Sequence, residues 1–229
     1  MTARLRVFRD AQDLAETLAD ETAALLTAAI AARGRATMAL PGGRTPTPFL
    51  TALGRRDVDW SRVTATLVDD RWLPTDSPDS NAATLRATLL AAAPAIRFIP
   101  LYTGAETPEE GEAACAEALR VLDGPFDLMV TGMGEDGHVA SLFPDAPALA
   151  SAWEGTAPCR AMRSPTAPHP RMTLTLPRLL DSRRIVVLIT GGAKRAVLEQ
   201  ARAAGPEDAM PVRALLRRGG ADTMVCWAP

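Results

Sequence analysis

The sequence predicts a single α/β domain over residues 1–229, built on a doubly wound, mostly parallel sheet with helices on both faces. Three observations lead there. Short apolar, strand-like runs alternate with helical patterns along the whole chain. Alanine dominates the apolar residues while aromatics make up only 4%, which favours helices over a β-sandwich. At 47% apolar, the chain can bury a sizeable core without disulfide or metal staples. No internal repeat or low-complexity linker marks a domain boundary.

The elements follow in order. Leu5–Phe8 reads as the first strand. Asp10 is placed to cap a long alanine-rich helix ending at Gly34, which suits the left-handed position past a helix C-terminus. Ala36–Leu40 is the second strand, closed by Pro41-Gly42-Gly43-Arg44-Thr45-Pro46, and a helix runs from near Pro46 to about Gly54. Val63–Val68 is the third strand and ends at Asp69-Asp70. Ser80 or Asn81 caps a helix through Ala92, and Arg97–Ile99 is a short strand. Thr107 with Glu110 forms a capping box that opens a helix to about Leu122. Phe126–Val130, Arg171–Thr175, Ile185–Ile189 and Thr223–Trp227 read as the remaining strands, and Gly191-Gly192 opens a helix through Ala203. The Pro-rich stretch 157–170 reads as a mobile loop.

Composition removes several classes of function. A net charge of −2 leaves no electrostatic footprint for nucleic acid, and no polybasic block suits an anionic membrane. Cys115, Cys159 and Cys226 are far apart with no CxxC spacing, so they read as reduced thiols rather than a disulfide frame or zinc site. Met1–Asp10 lacks the apolar region of a signal peptide, and no apolar run reaches membrane-spanning length. The expectation is a cytoplasmic protein that engages neither membrane nor nucleic acid.

Chemistry is concentrated in loops. In open α/β sheets ligands sit beyond the carboxyl ends of the strands, and four polar loops fall there: Gly42–Thr45, Asp69–Arg71, Gly132–His138 and Gly191–Lys194. In the run Thr131-Gly-Met-Gly-Glu-Asp-Gly-His138, a histidine follows Asp136 by two residues, which suits a general base beside a carboxylate. The plain alternative is a structural loop histidine. Pro41–Pro46 reads either as an anion site of backbone amides at a helix start or as a tight turn that needs glycine. Lys194 sits in a first helical turn, where the helix dipole opposes it unless an anion is near; otherwise it is a solvated surface lysine. Arg71 offers a planar donor fork or an internal ion pair with Asp69 or Asp70. His169, between two prolines, reads as a surface residue. The spacing Gly132-x-Gly134-x-x-Gly137 matches a dinucleotide fingerprint, but Pro144 stops the long helix that fingerprint requires.

Taken together these motifs resemble the 6-phosphogluconolactonase family, in the superfamily that includes glucosamine-6-phosphate deaminase. The matching segments are Pro41–Pro46, Asp69–Pro74 with Asp79-Ser80-Asn81, Gly132–Pro144, Arg171–Thr175 and Thr190–Lys194, so the likeness spans nearly the whole chain. It implies a Rossmann-like, deaminase-like fold, hydrolysis of 6-phospho-D-glucono-1,5-lactone in the oxidative pentose phosphate pathway, no cofactor or metal, and a monomer. It implies His138 as base, with Arg171 and Lys194 near the phosphate and Arg71 facing the substrate, and Asp136 or a nearby carboxylate would orient the imidazole. Gly42, Gly43, Arg44, Thr45, Asp69, Arg71, Arg171 and Lys194 would then bind the substrate and its phosphate. Two departures stand out: the usual Ser-Gly-Gly-Ser is Pro41-Gly-Gly-Arg44, and the usual Asp-Glu-Arg is Asp69-Asp70-Arg71. The deaminases carry a carboxylate where this chain has Phe143, which disfavours deamination. Competing readings are a sugar-phosphate isomerase or deaminase, a catalytically silent sugar-phosphate sensor, and a nucleotide-dependent oxidoreductase.

Overall fold

A computed structural model describes residues 3–220 and 222–229. Seven strands form one parallel sheet: β1 (Arg4–Val7), β2 (Ala36–Leu40), β3 (Val63–Leu67), β5 (Arg97–Ile99), β6 (Leu128–Thr131), β9 (Ile185–Thr190) and β10 (Thr223–Ala228). Their spatial order is β1-β10-β9-β6-β2-β3-β5, with every neighbour pair parallel. The central strands β2 and β6 are buried along their length, because helices cover both faces of a parallel sheet and no polar face is left to alternate. The chain moves outward from β2 to β3 and β5 on one side, and from β6 to β9 and β10 on the other. A topological switch point, where ligand crevices form in such sheets, therefore lies between β2 and β6.

Among the described residues eight α-helices connect and cover the strands: α1 (Ala11–Arg33), α2 (Thr47–Gly54), α3 (Asn81–Leu85), α4 (Pro108–Leu119), α5 (Leu149–Glu154), α6 (Leu176–Leu180), α7 (Gly191–Arg202) and α8 (Val212–Arg218). The cap signals act as expected. Asp10 accepts from the Asp13 amide at 2.8 Å, and Gly34, at φ 74°, donates to the Ile30 carbonyl at 2.7 Å. Thr107 and Glu110 make both bonds of a capping box, each at 3.3 Å. Ser80 is the cap of α3, its Oγ accepting from the Ala82 amide at 3.0 Å; the helix then widens to a π-helical stretch over Arg86–Leu90.

The structure corrects the expected sheet. Asp69–Arg71 is not a loop beyond β3 but a short strand, β4, and Arg171–Leu174 (β8) lies outside the large sheet. With β7 (Cys159–Met162) they form a separate antiparallel sheet in the order β4-β8-β7. β7 falls inside the stretch expected to be a mobile loop. Its side chains do not advertise a strand: Cys159, Ala161 and Met162 are buried, while Arg160 is held by Glu112 at 2.8 Å. The short helices α5, α6 and α8 were likewise unanticipated.

Candidate active site

Because all seven strands of the large sheet run parallel, the loops after β2, β3, β6 and β9 emerge at one edge. They surround a cleft of about 790 Å³. A larger depression of about 1090 Å³ lies between α1 and the β1–β10 edge, but four of its five arginines are paired with carboxylates. Arg6 binds Glu21, Arg184 binds Asp222, and Arg33 and Arg183 share Asp127. Chemistry rather than size singles out the smaller cleft.

Its floor is the loop after β6. His138 Nδ1 lies 2.6 Å from Asp136 Oδ1, and the same oxygen accepts the His138 amide at 3.1 Å. A carboxylate is an acceptor only, so the proton of a neutral imidazole sits on Nδ1 and leaves the Nε2 lone pair free. Burial works to raise the Asp136 carboxyl, but its hydrogen bond and charge contact with His138 prevail and hold it below the ordinary value. Gly134 makes this geometry possible: a Cβ there would stand 2.1 Å from His138 Nδ1 and 2.4 Å from Asp136 Oδ1. Gly137, at φ 81°, supplies the turn between acid and base. The Phe143 ring packs on the imidazole at 4.5 Å between centroids. No helix starts at Gly137, so the dinucleotide fingerprint is without its structural context.

One wall is the small sheet. In β4 and β8, Arg71 and Arg171 are direct cross-strand partners. Like charges placed opposite one another repel, so this pair is a natural seat for an anion. Arg71 Nη1 donates to the Asp79 carbonyl at 2.5 Å, while its buried Nε has no partner. Arg171 Nε donates to the His169 carbonyl at 3.2 Å, and Nη1 lies 3.9 Å from Asp69 Oδ2. Burial holds the Arg171 pKa below the ordinary guanidinium value, opposed by Asp69 and assisted by Arg71.

Asp69 does not face the cleft as a free ligand. It is buried and accepts Ser141 Oγ at 2.5 Å, tying the histidine loop to the small sheet. Asp70 is the buried cap of the α3 region, accepting from Ser80 Oγ and the amides of Arg71, Asn81 and Ala82. Burial pushes its carboxyl up to about 6, against those donors.

The opposite wall carries backbone donors. Gly43, at φ 88°, turns the chain after β2, and no protein acceptor takes the amides of Gly42, Gly43 or Arg44 among the described residues. A Cβ on Gly42 would stand 2.5 Å from Asn81, so glycine lets the loop pack on that side chain. Gly42, Gly43 and Thr45 line the cleft, but Arg44 is exposed and lines a neighbouring depression instead. Arg44 is thus not brought to the site, since the turn at Gly43 directs it outward. Lys194, half-buried in the first turn of α7, lines the cleft and makes no ion pair among the described residues. No group of three His, Cys, Asp or Glu side chains among the described residues has the arrangement to hold a metal ion.

Sequence reasoning missed Asn81 and Ser141 as site residues. Asn81 lines the cleft and donates from Nδ2 to the Asp69 carbonyl at 2.8 Å. Its place beside the helix cap Ser80 hid that role, and nothing local pairs Ser141 with a residue 72 positions away.

Known proteins resemble this chain along nearly its whole length. The family described as Glucosamine-6-phosphate isomerases/6-phosphogluconolactonase matches residues 9–226. A 6-phosphogluconolactonase of Rhizobium meliloti (strain 1021) is 44% identical, with both chains covered in full. One of Pseudomonas aeruginosa is 42% identical over 98% of this chain and 94% of its own. The crystal structure of a 6-phosphogluconolactonase from Shewanella baltica OS155 superposes with a TM-score of 0.95 at 36% identity, covering 99% of this chain and 98% of that one.

Proposed function

Because the chain belongs to the glucosamine-6-phosphate isomerase/6-phosphogluconolactonase family, we propose that its cleft hydrolyses 6-phospho-D-glucono-1,5-lactone with His138 as the base. The enzyme opens the lactone of the pentose phosphate pathway to 6-phosphogluconate. The observation that carries the residue assignment is the contact between His138 Nδ1 and Asp136 Oδ1 at 2.6 Å, on the floor of a cleft walled by cations.

The steps follow from the protonation states. Nε2 takes a proton from water as its oxygen attacks C1, and the carbonyl electrons move to oxygen. Asp136, held anionic, stabilises the imidazolium that forms. General-base help of this kind is worth about 10²–10⁴-fold. Free amides of the Gly42-Gly43 turn, or Arg71, offer donors to the oxyanion. Collapse of the intermediate breaks the bond from C1 to the ring oxygen, which collects the proton from Nε2. Arg171, Lys194 and the amides of the 43–45 turn hold the 6-phosphate and fix the reacting carbon beside the base. The phosphate offsets both the repulsion between Arg71 and Arg171 and the placement of Lys194 at a helix N-terminus.

The test is acid release from freshly generated 6-phosphogluconolactone, corrected for spontaneous opening. Acceleration is expected, with no ammonia released from glucosamine 6-phosphate. Folded protein that leaves the lactone rate unchanged contradicts the proposal.

A further inference from the structure

Ala140 occupies a backbone conformation that its own side chain opposes. Among the described residues eight glycines have positive φ, and Ala140, at φ 49°, is the one other residue that does. An L-residue there brings Cβ against a neighbouring carbonyl oxygen, a strain glycine escapes. Ala140 is the first central residue of the turn Val139–Leu142, closed by the Leu142 amide donating to the Val139 carbonyl at 2.9 Å. Ser141, the second central residue, does not share the positive φ. That combination describes a turn whose first central position is ordinarily glycine.

Both sheets impose this conformation. Thr131 Oγ1 of β6 accepts the Ala140 amide at 3.2 Å, and Thr173 Oγ1 of β8 accepts the Ser141 amide at 3.2 Å. Ser141 Oγ is fixed on Asp69 at 2.5 Å, and the flanking Val139 and Leu142 are buried. Every bond of this clamp uses a backbone amide or a neighbour's side chain. Glycine at position 140 would make them all without strain, so the methyl adds nothing to the clamp. Ala140 does, however, line the cleft together with His138, Phe143 and Arg171, and it retains 9% exposure.

We infer that the Ala140 methyl is a substrate-contacting wall that seats the lactone ring against His138, a specificity-determining contact that keeps a strained alanine where glycine would be more stable. The inference rests on the lactonase reading of the cleft. One methyl group against a bound ring is worth roughly 10–200-fold in discrimination, and a reacting centre displaced by about 1 Å can lose about 100-fold in rate.

The test sets stability against activity. Ala140→Gly is expected to raise Tm by about 2–4 °C while lowering kcat/KM at least about tenfold, the loss falling mainly on kcat because the phosphate anchors are untouched. Ala140→Asn keeps a side chain that tolerates the left-handed region and puts bulk where the ring would rest, so its loss is expected to exceed that of the glycine variant. A glycine variant with wild-type kcat/KM, an asparagine variant with wild-type turnover, or a fall in Tm on going to glycine overturns the inference; the last would make the methyl core packing. Wild type in the same assay separates the two levels. An inactive wild type contradicts the lactonase reading and this inference with it, whereas an active wild type beside an unaffected glycine variant contradicts the role of the methyl alone.

Discussion

His138 Nδ1 lies 2.6 Å from Asp136 Oδ1, and a proton on Nδ1 facing that carboxylate leaves Nε2 as the basic nitrogen. Replacing Asp136 by Asn keeps an acceptor but removes the charge. A hydrogen bond to a charged group contributes about 1.5–3 kcal/mol, so kcat is expected to fall roughly 10–100-fold with KM nearly unchanged. Steady-state kinetics check this, and a wild-type kcat would show that the imidazolium needs no partner. Lys194 belongs to binding rather than to bond making. Lys194→Ala is expected to raise KM about tenfold or more while kcat changes little; an unchanged kcat/KM would make it surface charge only. That Asp136, His138 and Lys194 line one cleft was legible in the sequence, because each sits in a short loop whose glycines announce it. Arg44 lines an adjoining depression rather than the cleft itself, and sequence reading cannot tell which way a side chain leaves a glycine turn. Asn81 and Ser141 were missed for the opposite reason: their partners, Asp69 and Gly42, are close only in space.

Between elements, the antiparallel pairing of β4 with β8 sets Arg71 opposite Arg171, across 100 residues of sequence. Two cations placed directly opposite one another should respond strongly to an anion. 6-Phosphogluconate at a concentration of about 100 Kd is expected to stabilise the wild type by about 2.7 kcal/mol, seen as a rise in Tm. The Arg171→Met variant is expected to lose most of that rise. An equal rise in both proteins would place the anion elsewhere. This small sheet was the least legible part of the fold. β4 is three residues of Asp-Asp-Arg, and β7 carries neither an apolar run nor clean alternation, so neither has the period that betrays a strand. The interior strands β2, β6 and β9 were legible because burial on both faces writes them as nearly continuous apolar runs. α1 and α4 were legible through their caps, whereas α5, α6 and α8, at five to seven residues, span too few turns to show a helical period.

At the scale of the whole molecule, winding outward in both directions from β2 and β6 brings the two glycine loops to one crevice, and the small sheet closes it from the side. Asp70, buried at the joint between that small sheet and α3, couples the fold to pH. Its folded carboxyl titrates near 6, above the 3.8 of the unfolded chain, so the native state takes up the proton first. Its contribution to stability is therefore full below the unfolded pKa and lost as pH rises through about 6. On going from pH 7.5 to 5 the Tm of wild type is expected to rise relative to that of Asp70→Asn, by an amount reflecting about 1.4 kcal/mol, since pH 5 lies about one unit below the folded value. A relative fall would mean that the ionised carboxylate is the preferred cap. The central claim concerns His138, and the most direct measurement compares wild type with His138→Ala in acid release from fresh 6-phosphogluconolactone, the spontaneous rate subtracted and product binding measured on both. With His138 as the base, kcat is expected to fall by about 10²–10⁴-fold with 6-phosphogluconate binding retained. Wild-type turnover in a folded His138→Ala enzyme would contradict that role.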